Sequence, residues 1–155
     1  MRQLLAWVLL FLCSAAAAQE VRLPVRVVRV YDGDTVTVDV LMPWGVTLSG
    51  ESVRDLSYDA WEIRRGRGGV VITEEELAKG RQAAKDLEAL FATGRVFVGT
   101  DANAKRDSFG RLLGKYWVYR DGGWVDVRSY MASRGNLRHD PIPDAVPRSR
   151  GNWRR

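Results

Sequence analysis

The stretch VRVVRVYDGDTVTVDV, residues 25–40, constrains the fold more than any other part of the chain. Val36, Val38 and Val40 fall on one side of an extended segment and Thr35, Thr37 and Asp39 on the other, the two-residue period of a half-buried strand. Residues 25–31 are equally rich in β-branched side chains, and Asp32-Gly33 lies between the two runs. Glycine takes φ > 0 at no steric cost and aspartate bonds its own backbone, so Asp-Gly in this setting specifies a hairpin. Asp34 is a second carboxylate that the turn does not require.

Upstream, Arg2, the apolar run at residues 4–12 and Ala16-Ala17-Ala18 have the order of a secretory leader, so residues 1–18 are expected to be cleaved off as a signal peptide. Lipidation at Cys13 ranks second, because Leu12 is larger than the residue such processing usually accepts. Cleavage takes away the only cysteine, and with Arg2 it lowers the net charge from +5 to +4. The apolar run is too short to remain as a bilayer span. A periplasmic or secreted monomer with no stable membrane association is expected. The chain has 155 residues, 46% hydrophobic and 28% charged, which suits one globular domain. Its positive charge is compatible with a polyanionic partner.

After the hairpin, Pro43, Gly45 and Gly50 predict a turn with a short strand near residues 46–48. Residues 53–58 form another extended segment, with Arg54, Leu56 and Tyr58 on one side; residues 63–71 read as a mobile basic loop. Thr73 with Glu76 is a capping box, and Leu77, Ala84, Leu87, Leu90 and Phe91 recur at helical spacing up to a stop at Gly94. Strands are expected at 95–100 and 111–119 around a polar turn, then a short helix over 124–133 stopped by Gly135. From residue 139, prolines and arginines predict a disordered basic tail. Five strands interrupted by a helix after the third correspond to an α+β, mainly β domain over residues 19–138: a five-stranded OB-fold barrel with two helices packed on it. The six tryptophans are expected to pack at the core and barrel ends, with only Trp153 exposed.

Carboxylates and arginines gather where strands end. Asp34 is at the hairpin, Arg54 begins the third extended segment, Asp59 and Glu62 leave it, and Arg111 follows the second turn. Such oxygen ligands suit Ca²⁺ or Mg²⁺, whereas a single cysteine and a single histidine, His139, argue against zinc. Two guanidinium groups beside an acidic metal site are what phosphoryl transfer demands, because they hold phosphate oxygens and stabilise the charge of the transition state. A further carboxylate can deprotonate or orient the attacking water.

The segments YDGDT (31–35), VR through DAWE (53–62) and DSFGRLLG (107–114), in this order and with a helix before the third, resemble the three signature segments of the staphylococcal nuclease-like (thermonuclease) family. The resemblance spans roughly residues 24–138. It implies that Asp34, Asp59 and the Ala60 carbonyl bind Ca²⁺, that Glu62 is the general base or water-orienting group, and that Arg54 and Arg111 bind the scissile phosphate and stabilise its transition state. It also implies a DNA and RNA substrate cut to leave 3′-phosphates, with Asp32 supporting the metal site. The sequence differs from the family pattern at Trp61, where proline is common, and at Asp55 and Ser57, where apolar residues or glycine are common. Nucleotide stacking then falls to Phe109 or Trp61. The competing function is a catalytically silent OB-type module that binds single-stranded nucleic acid, for which three carboxylates in the groove would be a repulsive burden without a metal.

Overall fold

The computed structural model describes residues 20–63, 72–100 and 105–139. The expected leader, most of the basic loop, the start of the 101–110 turn and the tail from residue 140 lie outside the described residues. The first hairpin is formed as expected: β1 (Val21–Val30) and β2 (Thr35–Leu41) pair antiparallel across the Asp-Gly turn. Asp32 shapes that turn, its Oδ1 accepting the backbone N–H groups of Asp34 and Thr35 at 3.1 and 2.7 Å. β2 is covered on both faces, so Thr35 and Asp39 are buried as well as the valines. Asp39 tolerates this because Arg26 and the Gly50 N–H donate to it.

The two extended pieces expected at 46–48 and 53–58 are one strand, β3 (Thr47–Asp55). Gly50, with φ of 73°, and a register shift opposite Val38 and Val40 let a single strand bend where the sequence suggested a break. β3 stops at Asp55, three residues earlier than expected; Leu56 is exposed and Tyr58 is buried, its hydroxyl donating to the Gly33 carbonyl at 2.6 Å. β4 (Asp59–Ala60) follows, and then α1 (Glu74–Phe91), which carries the capping box with Glu76 N–H to Thr73 Oγ1 at 3.1 Å and Thr73 N–H to Glu76 Oε2 at 2.8 Å. Leu77, Ala83, Leu87, Leu90 and Phe91 are the buried stripe, with Ala83 rather than Ala84 in the core. Gly94 does not terminate the helix through a positive φ; a Cβ there would come 2.5 Å from the Tyr119 carbonyl, so close approach is what it serves.

β5 (Arg95–Thr100) and β6 (Leu112–Arg120) pair antiparallel, and β7 (Gly123–Asp126) extends the ladder. Residues 124–126 were expected to begin the last helix, but Trp124 pairs with Tyr119 in the sheet. The helix α2 (Val127–Ser133) starts only after Asp126, which caps it by accepting from the Ser129 N–H. β8 (Leu137–His139) then returns to pair with β4, so His139 belongs to a strand where a tail was expected.

The result is α+β and mostly β: a six-stranded sheet of order β3-β2-β1-β5-β6-β7, antiparallel between these neighbours, with two helices. β3 also pairs in parallel with β6, Val53 to Asp55 opposite Leu112 to Gly114. Valines of β1, β2, β3, β5 and β6 meet Leu87, Leu90 and Phe91 of α1 and Val127 and Met131 of α2 in one core. Phe91 packs edge-on against Tyr116 with ring centroids 5.4 Å apart. The tryptophans depart from expectation. Trp44, in a 3-10 turn at Pro43–Gly45, is 97% exposed and Trp124 is 47% exposed, while no described tryptophan is fully buried. No described helix is long and apolar enough to cross a membrane.

Candidate active site at the strand ends

Four pieces of chain bring the expected residues to one rim of the sheet. The β1–β2 turn carries Asp34, the end of β3 carries Arg54, the segment after β4 carries Glu62, and the turn before β6 carries Phe109 and Arg111. A cavity of about 240 Å³ is lined by Asp34, Arg54, Ala60, Glu62, Phe109 and Arg111, joined by Tyr31, Asp32 and Trp61. Asp59 does not line it. Its Oδ1 lies 2.5 Å from Arg54 Nη2, so it reaches the cavity only through that guanidinium.

Close packing fixes these pieces. At Gly33 a Cβ would come 2.6 Å from the Ala60 Cβ and 2.8 Å from that of Ala83, so the turn seats against both β4 and α1. At Gly80 a Cβ would come 2.2 Å from the Glu62 carbonyl oxygen, which means that α1 backs directly onto the Trp61-Glu62 main chain. Beneath the rim, the residues that depart from the family pattern form a buried knot. Asp55 is 1% exposed and accepts from Ser57 N–H at 2.8 Å, from Ser57 Oγ, and from Tyr116 N–H at 2.9 Å. Burial pushes its carboxyl up to about 6 although all three donors favour the charged form.

The rim is strongly acidic around one cation. Asp34 is almost fully buried; its Oδ1 accepts from Thr35 Oγ1 at 2.8 Å, its Oδ2 from Ala60 N–H at 3.1 Å, and Arg54 Nη2 is 3.4 Å away. Burial, reinforced by repulsion from Asp32, pushes the Asp34 carboxyl up to about 6 against the attraction of Arg54. Burial of Arg54 works against its charge, but Asp34, Asp59, Asp32 and Glu62 together hold its pKa above the ordinary value. Four carboxylates therefore act on one guanidinium.

Arg111 is gripped from the other side. Asp107 Oδ2 accepts from its Nε at 2.7 Å, and Asp107 Oδ1 accepts the backbone N–H groups of Phe109 and Arg111 at 2.8 and 2.9 Å. Partial burial would raise the Asp107 carboxyl, yet these bonds hold it below the usual range. Arg111 Nη1 lies 3.3 Å from Thr35 Oγ1, so Thr35 links Arg111 to Asp34. The roles of Asp107 and Thr35 went unread in the sequence. An Asp four residues before an Arg across a Gly-containing turn was the available signal for the first; the second joins residues 76 apart and had none. The Phe109 ring is 81% exposed, with the Arg111 guanidinium 5.4 Å from its centroid.

No protein-family model and no curated protein matches the chain. What the arrangement can do therefore follows from its own chemistry. Among the described residues, no three acidic, histidine or cysteine side chains are grouped so as to hold an ion by themselves. The available donors are the hard oxygens of Asp34, Asp59 and main-chain carbonyls, in an acidic field that a divalent cation would neutralise. In charge and donor type these residues fit Ca²⁺, which would take over carboxylate oxygens that the Arg54 guanidinium bridges in this structure.

Proposed function

We propose that the protein is an exported, calcium-dependent nuclease of the staphylococcal nuclease-like kind, hydrolysing phosphodiester bonds of DNA and RNA to leave 3′-phosphate ends. The observation that carries the reading is the convergence of Arg54, Glu62 and Arg111 on one cavity beside Asp34. These residues come from three separate segments, and nothing in core packing requires two arginines and an exposed glutamate to share a rim. The pairings β1-β2-β3-β6-β5 and back to β1 support reading the sheet as the five-stranded OB-type barrel, with β7 as an extension.

In this reading Asp34, Asp59 and the Ala60 carbonyl would hold Ca²⁺, which when bound supplies a fixed positive charge next to the scissile phosphate. Arg54 and Arg111 donate to the non-bridging phosphate oxygens and stabilise the charge that builds on them as the bond order at phosphorus changes. Glu62 accepts a proton from the attacking water; the phosphorus to 5′-oxygen bond breaks and that oxygen leaves as a hydroxyl after taking up a proton. Asp107 keeps Arg111 aimed at the cavity, and the exposed Phe109 ring offers a face to a base.

The test is digestion of single-stranded DNA and of RNA by the purified protein with Ca²⁺, with Mg²⁺ and with excess chelator, followed by identification of the ends. Calcium-dependent cleavage leaving 3′-phosphates is the expected result. Binding without cleavage under every condition would leave a nucleic-acid-binding module and remove the enzyme.

A further inference from the structure

The outward side of the sheet carries a second feature that the cleavage cavity does not use. Period-2 alternation puts Val96, Val98, Tyr116 and Val118 into the core and turns Phe97, Trp117 and Tyr119 outward, where β7 adds Trp124. Trp124 sits at the centre, its ring centroid 4.9 Å from Phe97, 5.1 Å from Tyr119 and 6.5 Å from Trp117, all edge-to-face. The Arg22 guanidinium lies 3.8 Å from the Trp117 centroid and 4.8 Å from that of Trp124, and Arg95 lies 5.4 Å from that of Phe97. Packing explains rings that meet one another. It does not explain why Trp124 and Tyr119 keep 47% and 37% of their surface in water among arginines.

The same outward row of β6 runs on toward the cavity. From Tyr119 and Trp117 it passes Lys115 and Leu113 and ends at Arg111, so about 20 Å of strand joins the rings to the cleavage rim. Between them lies a groove of about 460 Å³ whose walls include Leu56, Leu113, Lys105 and Lys115. Two acidic groups stand here: Glu20 bonds Arg22 at 3.4 Å and the Trp117 indole N–H at 3.1 Å, and Asp126, opposite Trp117 on β7, accepts from Ser129. Two part-exposed rings, Trp124 and Tyr119, with apolar walls and basic groups along one line are complementary to a chain of flat bases joined by phosphates.

We propose that this outward row is a docking track for single-stranded nucleic acid, separate from the cavity where cleavage is assigned. About two or three bases stack at the aromatic cluster, and the phosphates that follow lie along Lys115 toward Arg111. Duplex is excluded because its bases are already stacked and their faces cannot reach the rings. The track goes beyond the nuclease reading and is tested without it.

The experiment is fluorescence anisotropy of a labelled oligothymidylate of about 15 nucleotides, long enough to cover one such site, titrated with the full protein in chelator at several salt concentrations. Trp124→Ala is expected to weaken binding about tenfold, as loss of one stacked base would. The double variant Lys105→Ala with Lys115→Ala, both in the groove, is expected to reduce the slope of log affinity against log salt by about 1.4, two phosphate contacts on a single strand. Gln82→Ala, on the exposed side of α1, should bind as the unaltered protein does. Equal binding by the track variants, no binding by the unaltered protein, or binding lost only in Arg54→Ala and Arg111→Ala would overturn the track. So would track-dependent binding that is stronger to phosphatidylglycerol vesicles than to the oligonucleotide, which would make the face a lipid surface. Track-dependent binding with no cleavage in any metal supports the track and removes the nuclease reading alone.

Discussion

Glu62 and Arg111 face the cavity without belonging to the core, Glu62 being exposed and Arg111 held by Asp107 and Thr35. On the proposed reading, Glu62→Gln removes a proton acceptor and Arg111→Ala removes a guanidinium from the phosphate. Each is expected to lower kcat by about 100-fold or more, with melting temperatures within a few degrees of the unaltered protein. Unchanged kcat in both variants would sink the assignment. A different residue carries backbone strain. Trp44 has φ of 60° and is 97% exposed at the β2–β3 turn, so its side chain gains nothing from packing while its backbone sits in the left-handed region. Trp44→Gly is expected to raise stability by roughly 0.5–1 kcal/mol in urea unfolding, the relief of strain outweighing the added freedom of the unfolded chain.

At the scale of elements, α1 does more than fill the core. Its Gly80 is the point at which the helix touches the Trp61-Glu62 main chain. In an open helix, Gly→Ala would gain about 0.8–1 kcal/mol of propensity. Here the new Cβ would press on a carbonyl oxygen, so helix and site segment must part. Gly80→Ala is therefore expected to lower the melting temperature and, by shifting Glu62, to lower kcat by more than it changes the affinity for oligonucleotide. A stabilised, fully active Gly80→Ala protein would show that the helix does not position this segment. The capping box that starts α1 was legible because it needs only Thr73 and Glu76 at fixed spacing. The contact at Gly80 was not, because an isolated glycine in a helical pattern says nothing about what it touches.

For the molecule as a whole, the buried carboxyls set the response to pH. Asp34 and Asp55 each titrate at about 6 in the fold, against 3.8 ordinarily. Between those values the folded chain holds protons that the unfolded chain has lost, so their contribution is complete below about 3.8 and disappears as pH rises through 6. Asp39, Asp107 and Glu76 are lowered by their donors and act oppositely, losing their contribution as pH falls through their folded values. In chelator, the melting temperature is expected to be higher near pH 4.5 than near pH 7.5, and Asp55→Asn should shrink that difference. The proposed calcium site would need Asp34 as the ionised carboxylate, so on that reading added Ca²⁺ should raise the melting temperature more at pH 7.5 than at pH 4.5. A melting temperature that climbs steadily from pH 4.5 to 7.5 in chelator would show that Asp34 and Asp55 are not proton-holding in the fold.

The sequence by itself determined what depends on neighbours along the chain. The Asp-Gly hairpin, the α1 cap, the Gly135 stop and the alternation of β5 and β6 are all local rules, and each recurs in the structure. That Asp34, Arg54, Glu62 and Arg111 share one cavity was legible because a few charged side chains stood at turns and strand ends where folding alone did not call for them. Only tertiary structure decided how they meet: Asp59 held outside the cavity by Arg54, Thr35 joining Asp34 to Arg111, and Asp55 satisfied by Ser57 and Tyr116 below the rim. It alone decided that β3 runs unbroken through Gly50, that Trp124 lies in a sheet instead of a helix, and that β8 returns to β4. The physical reason is common to all of these. Hydrogen-bond partners and buried faces across strands are set by register between distant segments, and no short window of residues contains both sides of such a contact.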